Sequence, residues 1–347
     1  MLNTKDEVIA VQPENGSSFL FASASVIPLR DRLDGPIIVE AERFDPAELQ
    51  EWIGAHRLQI NQLMDRHRAI LFRGLSLDSV DRFQTFLQAL GADLMDYSER
   101  STPRSVVHGR VYTSTEYPKS DEIPMHNENS YSHVWPRRVV FCCLEPASQG
   151  GETPIADSRA IFDGIPIDIR EAFLKKQVMY VRNFGRGIDL SWQEAFQTND
   201  PGQVEAYCQA SGIAFEWFDG GTGLHTEQIR AAALRYVPTG EWVWFNQAHL
   251  FHISSLPPAL RVALCDLFSP RCLPRNACYG DGTAIEDAVL DEIRHAYRKK
   301  RVYIEWKRGD ALLLDNLFYA HGRMPFTGQR KIIVAMDTVG GRDTSTV

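Results

Sequence analysis

The segment IPMHNENSYSHVWP, residues 123–136, sets His126 and Glu128 two positions apart. Imidazole is the commonest protein ligand for a divalent metal and a carboxylate suits a hard ion. A His-x-Glu pair on extended backbone can therefore supply two adjacent corners of a coordination shell. The pair alone is weak evidence. Ten His and 45 acidic residues among 347 positions yield about one His-x-acidic pair by chance, and a second one, HTE at His225–Glu227, is present. What separates His126 from that decoy must stand at fixed distances around it.

Such residues exist. Thr153 follows His126 by 27 positions, within GGETPIAD. Near the C-terminus, LLLDNLFYAHGRMPFTGQRKIIVAM places His321 just after an apolar strand and Arg330 nine positions later, at the start of another. Two hairpin-linked strands of a twisted barrel can carry those side chains into one cavity. HTE has no Gly-Gly-acidic-Thr at the same distance; Thr226 and Glu227 suit the first turn of a helix instead.

The elements that must position these groups read as strands interleaved with amphipathic helices. Apolar residues at helical spacing predict helices over about 46–65 and 79–90, the latter through Val80, Phe83, Phe86, Leu87 and Leu90. IDIREAFLKK, PPALRVALCDLF and EDAVLDEIRHAYRKK predict three more. Short β-branched or aromatic runs, AILFRG, RVVFCCLE, QVMYVRNF, WVWFNQ, RVYIEW, ALLLDN and KIIVAM, predict strands. KRGD reads as a turn joining RVYIEW and ALLLDN as antiparallel partners. Strands dominate the second half, which favours a jelly roll or barrel with added helices over a Rossmann fold. No G-x-G-x-x-G or Walker motif is present.

The composition, 44% hydrophobic and 24% charged, is that of a globular chain with a sizeable core. No repeat or low-complexity linker divides it, so one domain is expected over 1–347, with 1–35 as an N-terminal extension. A formal net charge of -8 excludes a general nucleic-acid binder. Six cysteines without C-x-x-C spacing read as thiols of a reduced, cytoplasmic protein. FLFASASVIP is too short to span a membrane.

His-x-Glu, then Gly-Gly-acidic-Thr, then a distal His followed by Arg, resembles the taurine dioxygenase (TauD/TfdA) family of Fe(II)- and 2-oxoglutarate-dependent oxygenases. The resemblance extends through AILFRGL, TSTEYP, HNENSY, TGEWVWFNQAHLFH and GDALLLDN. In wording it is nearest the branch related to the syringomycin-pathway aspartyl hydroxylase. It implies a mostly β fold with flanking α: a double-stranded β-helix, that is, a jelly roll of the clavaminate synthase-like kind. It also implies that His126, Glu128 and His321 form a 2-His-1-carboxylate metal triad with open positions for cosubstrate and O2. Arg330 would pair with the distal carboxylate of 2-oxoglutarate, and Thr153 would contact the same cosubstrate. Arg323 is a secondary candidate for that role.

The chain departs from the common family pattern in two places. Glu128 stands where most members carry Asp, and the interval from His321 to Arg330 is shorter than in many relatives. A carboxylate at 128 leaves no ligand position for chloride, which excludes halogenation of the kind some relatives perform. The implied reaction is hydroxylation of an unactivated C–H of a small molecule, an amino acid either free or tethered to a carrier protein, in specialised metabolism. Desaturation, cyclisation and catabolic oxidation of a small carboxylate are alternatives from the same oxidising step. A non-catalytic metal-binding jelly roll would have no use for Thr153 and Arg330.

Tyr131, Asn246 and Gln247 are candidate substrate contacts, with strand packing as the competing role. His249 and His252 read as structural, and Arg73 as either a structural or a pocket arginine. The loops 97–125 and 185–225 are expected to close the pocket.

Overall fold

The structure, a computed structural model, describes residues 24–29, 35–41, 44–96, 99–102, 104–114, 117–185, 187–338 and 344–345. Residues 1–23 and 30–34 of the expected extension lie outside them, as do Thr115 and Glu116 of TSTEYP. Two sheets face each other. The larger has eight strands, ordered Ala24–Pro28, Ile37–Ala41, Ala69–Arg73, Ala311–Asp315, Arg138–Glu145, Lys331–Asp337, Val111–Thr113, Val106–His108. The smaller has four, Val302–Ile304, Thr153–Asp157, Tyr319–Arg323 and Ile123–His126.

Strand periodicity explains the layers. In VVFCCLE, Val139, Phe141 and Cys143 point between the sheets, while Val140, Cys142 and Leu144 point outward to the helices Pro46–His67 and Val80–Ala89. Both faces are covered, so the strand reads as one apolar run without alternation. The smaller sheet turns Met125, Ala156 and Ala320 outward, onto a cluster built with the helices Ser158–Gly164, Ile167–Lys176 and Asp287–Lys300. The product is a helix, sheet, sheet, helix sandwich, with the jelly-roll core between the sheets. The first helix starts at an Asp45–Glu48 capping box, which satisfies two orphan backbone donors reciprocally.

Two expectations give way. KRGD is a turn, but RVYIEW pairs with Thr153–Asp157 in the small sheet, whereas ALLLDN pairs with Ala69–Arg73 and Arg138–Glu145 in the large one. The chain crosses between sheets there instead of forming a hairpin. HTE lies in the strand Gly223–Arg230, between Ile213–Phe218 and Val178–Phe184, in a further four-stranded sheet that also holds Arg275–Tyr279. Two flanking backbone ladders outweigh the local capping signal of Thr226 and Glu227. Arg73 is structural: its guanidinium grips the buried Asp310 carboxylate, 2.7 Å away.

The central strand Ala311–Asp315 is buried throughout. Leu313, 0% exposed, packs toward the first two helices, and Leu313→Ala should cost about 2–5 kcal/mol. Urea unfolding checks this: the midpoint should fall with the slope unchanged.

Candidate active site

His126 and His321 face each other across antiparallel strands in direct register, with ring centroids 4.8 Å apart. The same period that points Ile155 and Tyr319 between the sheets points Thr153, His321 and Arg323 there too. Gly322 permits the approach, since a Cβ on it would lie 2.5 Å from the Ile123 carbonyl. Phe141 of the large sheet meets His321 edge-on.

Glu128 is on neither strand. It sits in the turn after His126, and its backbone is fastened by one side chain. Asn316 Oδ1 accepts from the Glu128 N–H at 2.7 Å, and its Nδ2 donates to the Glu128 and Pro136 carbonyls. Asn127 donates to the Asn316 carbonyl and to Ser158. The Glu128 carboxylate, 3% exposed, lies 3.7 Å from His321 Nε2, and one ligand atom each from His126, Glu128 and His321 all lie within 4.8 Å of one another.

The protonation states suit a metal. His126 Nδ1 donates to the Pro124 carbonyl at 2.8 Å, which leaves the Nε2 lone pair for a ligand. Burial, and then His321, lower the His126 pKa to about 4, so its ring is neutral near pH 7. Burial alone would raise Glu128, but Arg104 and the two imidazoles overcome it and hold the carboxyl well below the usual range. The buried His321 Nδ1 has no hydrogen-bond partner among the described residues. A buried, charged carboxylate beside two imidazoles with unspent nitrogens fits a divalent cation.

Two cavities meet at this trio. A narrow cleft is lined by Thr153, Arg323 and Arg330 together with His126, His321 and Arg104. Arg330 and His321 come from opposite sheets, and their strands are not hairpin partners. Arg330 Nε donates to the Gly151 carbonyl, and a Cβ on Gly151 (φ +75°) would press on the arginine stem at 3.1 Å, which accounts for glycine in GGET. Thr153 Oγ1 accepts from Trp306 Nε1 at 2.9 Å, leaving its own proton to donate. Burial and Arg323 lower the Arg330 pKa to about 10, still cationic near neutrality. Arg323 spends donors on the carbonyls of Tyr117, Pro118 and Asp121, and so anchors that loop.

The second cavity, about 310 Å³, is bounded by His126, Glu128 and Arg104 at one end, and by Asp189 and Arg275 in its wall. Leu250, Phe251 and Leu256 are among its apolar lining. Of the three substrate-contact candidates, only Gln247 lines it, its Nε2 donating to the Asn127 carbonyl. Tyr131 packs on Phe251 and donates to the Glu99 carbonyl, while Asn246 bonds Ala232 and Ala248, so both belong to the packing. The expected closing loops contribute Ser101, Thr102, Tyr117, Ile188 and Asp189, but residues 250–264 supply a further wall. His249 is structural: its Nε2 donates to the Met125 carbonyl and its ring stacks on Tyr297.

Sequence inspection missed Arg104 and Asn316. Arg104 Nη2 donates to Glu128 Oε2 at 2.7 Å with both side chains 3% exposed, and it lines both cavities. STPRSV carries no signal for it. Asn316 ends ALLLDN, and a polar residue closing an apolar strand was the available clue.

Two imidazoles and a carboxylate brought together inside a jelly roll are the donor set of mononuclear non-haem iron oxygenases. The sequence profile of the Taurine catabolism dioxygenase TauD, TfdA family matches residues 26–336, and the chain belongs to that family of Fe(II)- and 2-oxoglutarate-dependent dioxygenases. It is 40% identical over 314 residues to the dapdiamide synthesis protein DdaC of Enterobacter agglomerans, covering 90% of this chain and 94% of that one. A clavaminate synthase-like protein of Arabidopsis thaliana is 29% identical over 289 residues, covering 80% and 83%. The crystal structure of PvcB from Pseudomonas aeruginosa shares the fold, with a TM-score of 0.53 at 13% identity over 94% of this chain and 95% of that one.

Asn316→Ala should leave the Glu128 N–H and two carbonyls without their partner. The expected cost is about 2–4 kcal/mol in chemical unfolding, with Fe(II) affinity down roughly 10–100-fold; isothermal titration under argon measures the second effect.

Proposed function

We propose that the chain acts as one oxygenase domain, residues 1–35 being its N-terminal extension, in which His126, Glu128 and His321 hold Fe(II). Thr153 and Arg330, with Arg323 beside them, hold 2-oxoglutarate. The substrate is a small molecule, an amino acid or its derivative, hydroxylated at an unactivated C–H in specialised metabolite biosynthesis. The observation that carries this is the trio of candidate ligand atoms within 4.8 Å of one another, open on one side to a cleft with two arginines and on the other to the larger cavity.

Iron bound at the trio supplies a centre at which O2 oxidises the 2-oxo acid to succinate and CO2 and delivers one oxygen atom to the substrate. The protein's own groups do the rest. Arg330, planar and bidentate, suits a distal carboxylate, and Thr153 can donate a further hydrogen bond to it. Arg323 adds positive potential for a dianion. Leu250, Phe251 and Leu256 exclude water from the reacting carbon and hold the substrate against the metal. Glu128 retains the third protein ligand, which favours hydroxyl over chloride transfer.

DdaC, whose name places it in dapdiamide synthesis, supports a biosynthetic role over a catabolic one. Six free thiols support a reducing, cytoplasmic setting, and no helix among the described residues is long and apolar enough to cross a membrane. Whether the substrate arrives free or on a carrier is decided by comparing coupled succinate formation with free and carrier-bound amino acids.

Anaerobic titration of the full chain with Fe(II) and 2-oxoglutarate should produce a metal-to-ligand charge-transfer band, and His126→Ala should abolish it. Arg330→Gln should keep Fe(II) binding but weaken 2-oxoglutarate roughly 10–100-fold, the worth of a charge-assisted hydrogen bond. No band in the native chain, or a band unchanged in His126→Ala, sinks the assignment.

A further inference from the structure

Beside the larger cavity, the strand Val178–Phe184 sets Arg182 directly across from Arg275 on its antiparallel neighbour. Residues so opposed share a face with Cβ atoms about 5 Å apart, where like charges repel. Arg182 is 2% exposed, and none of its three guanidinium nitrogens has a hydrogen-bond partner among the described residues. Its guanidinium lies 4.4 Å from the centre of the Phe184 ring, a contact that offsets only part of what desolvating a cation costs.

The carboxylate at this place, Asp189, pairs with Arg275 and makes no hydrogen bond to Arg182. Asp189 accepts from Arg275 Nε at 2.9 Å and Nη2 at 2.6 Å. Burial alone would raise its pKa, yet Arg275 and then Arg182 hold it below the usual carboxylate range. Arg275 also donates through Nη2 to the Ser101 carbonyl, and no hydrogen bond engages its Nη1 among the described residues. Asp189 and Arg275 line the cavity, whereas Arg182, opposite Arg275 on the neighbouring strand, is buried and is not one of the lining residues. Two guanidiniums and a single carboxylate leave an excess of positive charge, and one of the two guanidiniums, Arg182, is fully buried. Native structures rarely leave buried donors orphaned without a purpose.

We propose that Arg182, Arg275 and Asp189 form a subsite for a carboxylate of the substrate, which is therefore a small molecule with a free carboxyl group. The incoming anion is the second counter-charge that this cluster lacks. Asp189 already serves Arg275, the Arg182 guanidinium has no hydrogen-bond partner among the described residues, and a planar fork is the donor geometry that a carboxylate matches. The inference rests on the oxygenase reading of the adjacent metal trio and narrows its substrate class. A monocarboxylic amino acid held as a carrier thioester lacks the required anion, so the substrate is a free acid or a tethered residue that keeps a second carboxylate.

The test is thermal unfolding of the full chain, anaerobic, with Fe(II) and saturating 2-oxoglutarate so that the Arg330 cleft is already filled. Sodium propionate is compared with propionamide at matched ionic strength. Propionate should raise the Tm by about 2 °C at roughly ten times its Kd, and propionamide should not. Arg182→Met should unfold at the same temperature as the native chain or higher without propionate, because it removes a buried unpaired charge, and should lose the propionate shift. Arg275→Gln should also lose it, and decides the matter if Arg182→Met fails to fold. A native chain without the shift, or a shift that survives in the folded variants, overturns the subsite. The charge-transfer band separates the two ideas: its absence from the native chain removes the oxygenase reading, whereas its presence without a propionate shift removes only the carboxylate subsite.

Discussion

The direct register between His126 and His321 is the constraint on which the rest of the site depends. Strand side chains alternate with a period of two, so a slip of one residue would move one histidine from the interior to the outer face. The packing forbids that slip. Met125 and Ala320 are buried in the outer helical cluster, while Ile155 and Tyr319 are buried between the sheets. The strands that carry His126, Thr153 and His321 therefore bury Met125, Ala156 and Ala320 on the side away from the His-Glu-His trio and present polar side chains on the other. Hydrophobic burial sets the phase of the strands, and the phase aims the two imidazoles at each other.

Glu128 is held by different means. No ladder fixes it, because it lies in a turn, so its backbone is paired to the Asn316 amide much as a strand would be paired to its neighbour. Its side chain is then drawn between Arg104 and His321. An uncompensated carboxylate this deeply buried would be expensive, and a guanidinium at 2.7 Å keeps it ionised before any metal is bound. Arg104 also lines both cavities, so the cation that keeps Glu128 charged belongs to the wall of each.

What the sequence could reveal follows from how local each signal is. His126, Thr153, His321 and Arg330 stand at spacings set by single strands and their connections, and their placement around one cleft was legible once the four were taken together. The helices were legible because a stripe such as Phe83, Phe86 and Leu87 needs only one face of a neighbouring layer. KRGD was not, since whether a turn returns to its own sheet or crosses to the opposite one depends on partners far away in the chain. HTE failed for a related reason: capping chemistry was visible, but the two strands that flank it were not. Tyr131 and Asn246 have the chemistry of pocket residues, yet their polar ends are satisfied within the packing, at Glu99 and at Ala232 and Ala248.

Arginine was the least legible residue of all, because its role depends on which carboxylate reaches it. Arg73 has Asp310, Arg104 has Glu128, and Arg275 has Asp189. Arg182, more deeply buried than these three, has no hydrogen-bond partner among the described residues. Replacing such a cation with an apolar residue of similar volume commonly costs a fold nothing, so stability alone gives no reason to keep it. Its position across from Arg275, which lines the cavity beside the His-Glu-His trio, supplies one. The interior that excludes water from the reacting carbon also strengthens any ion pair formed inside it. A guanidinium left short of a partner there turns the same low dielectric from a folding penalty into affinity for a substrate anion.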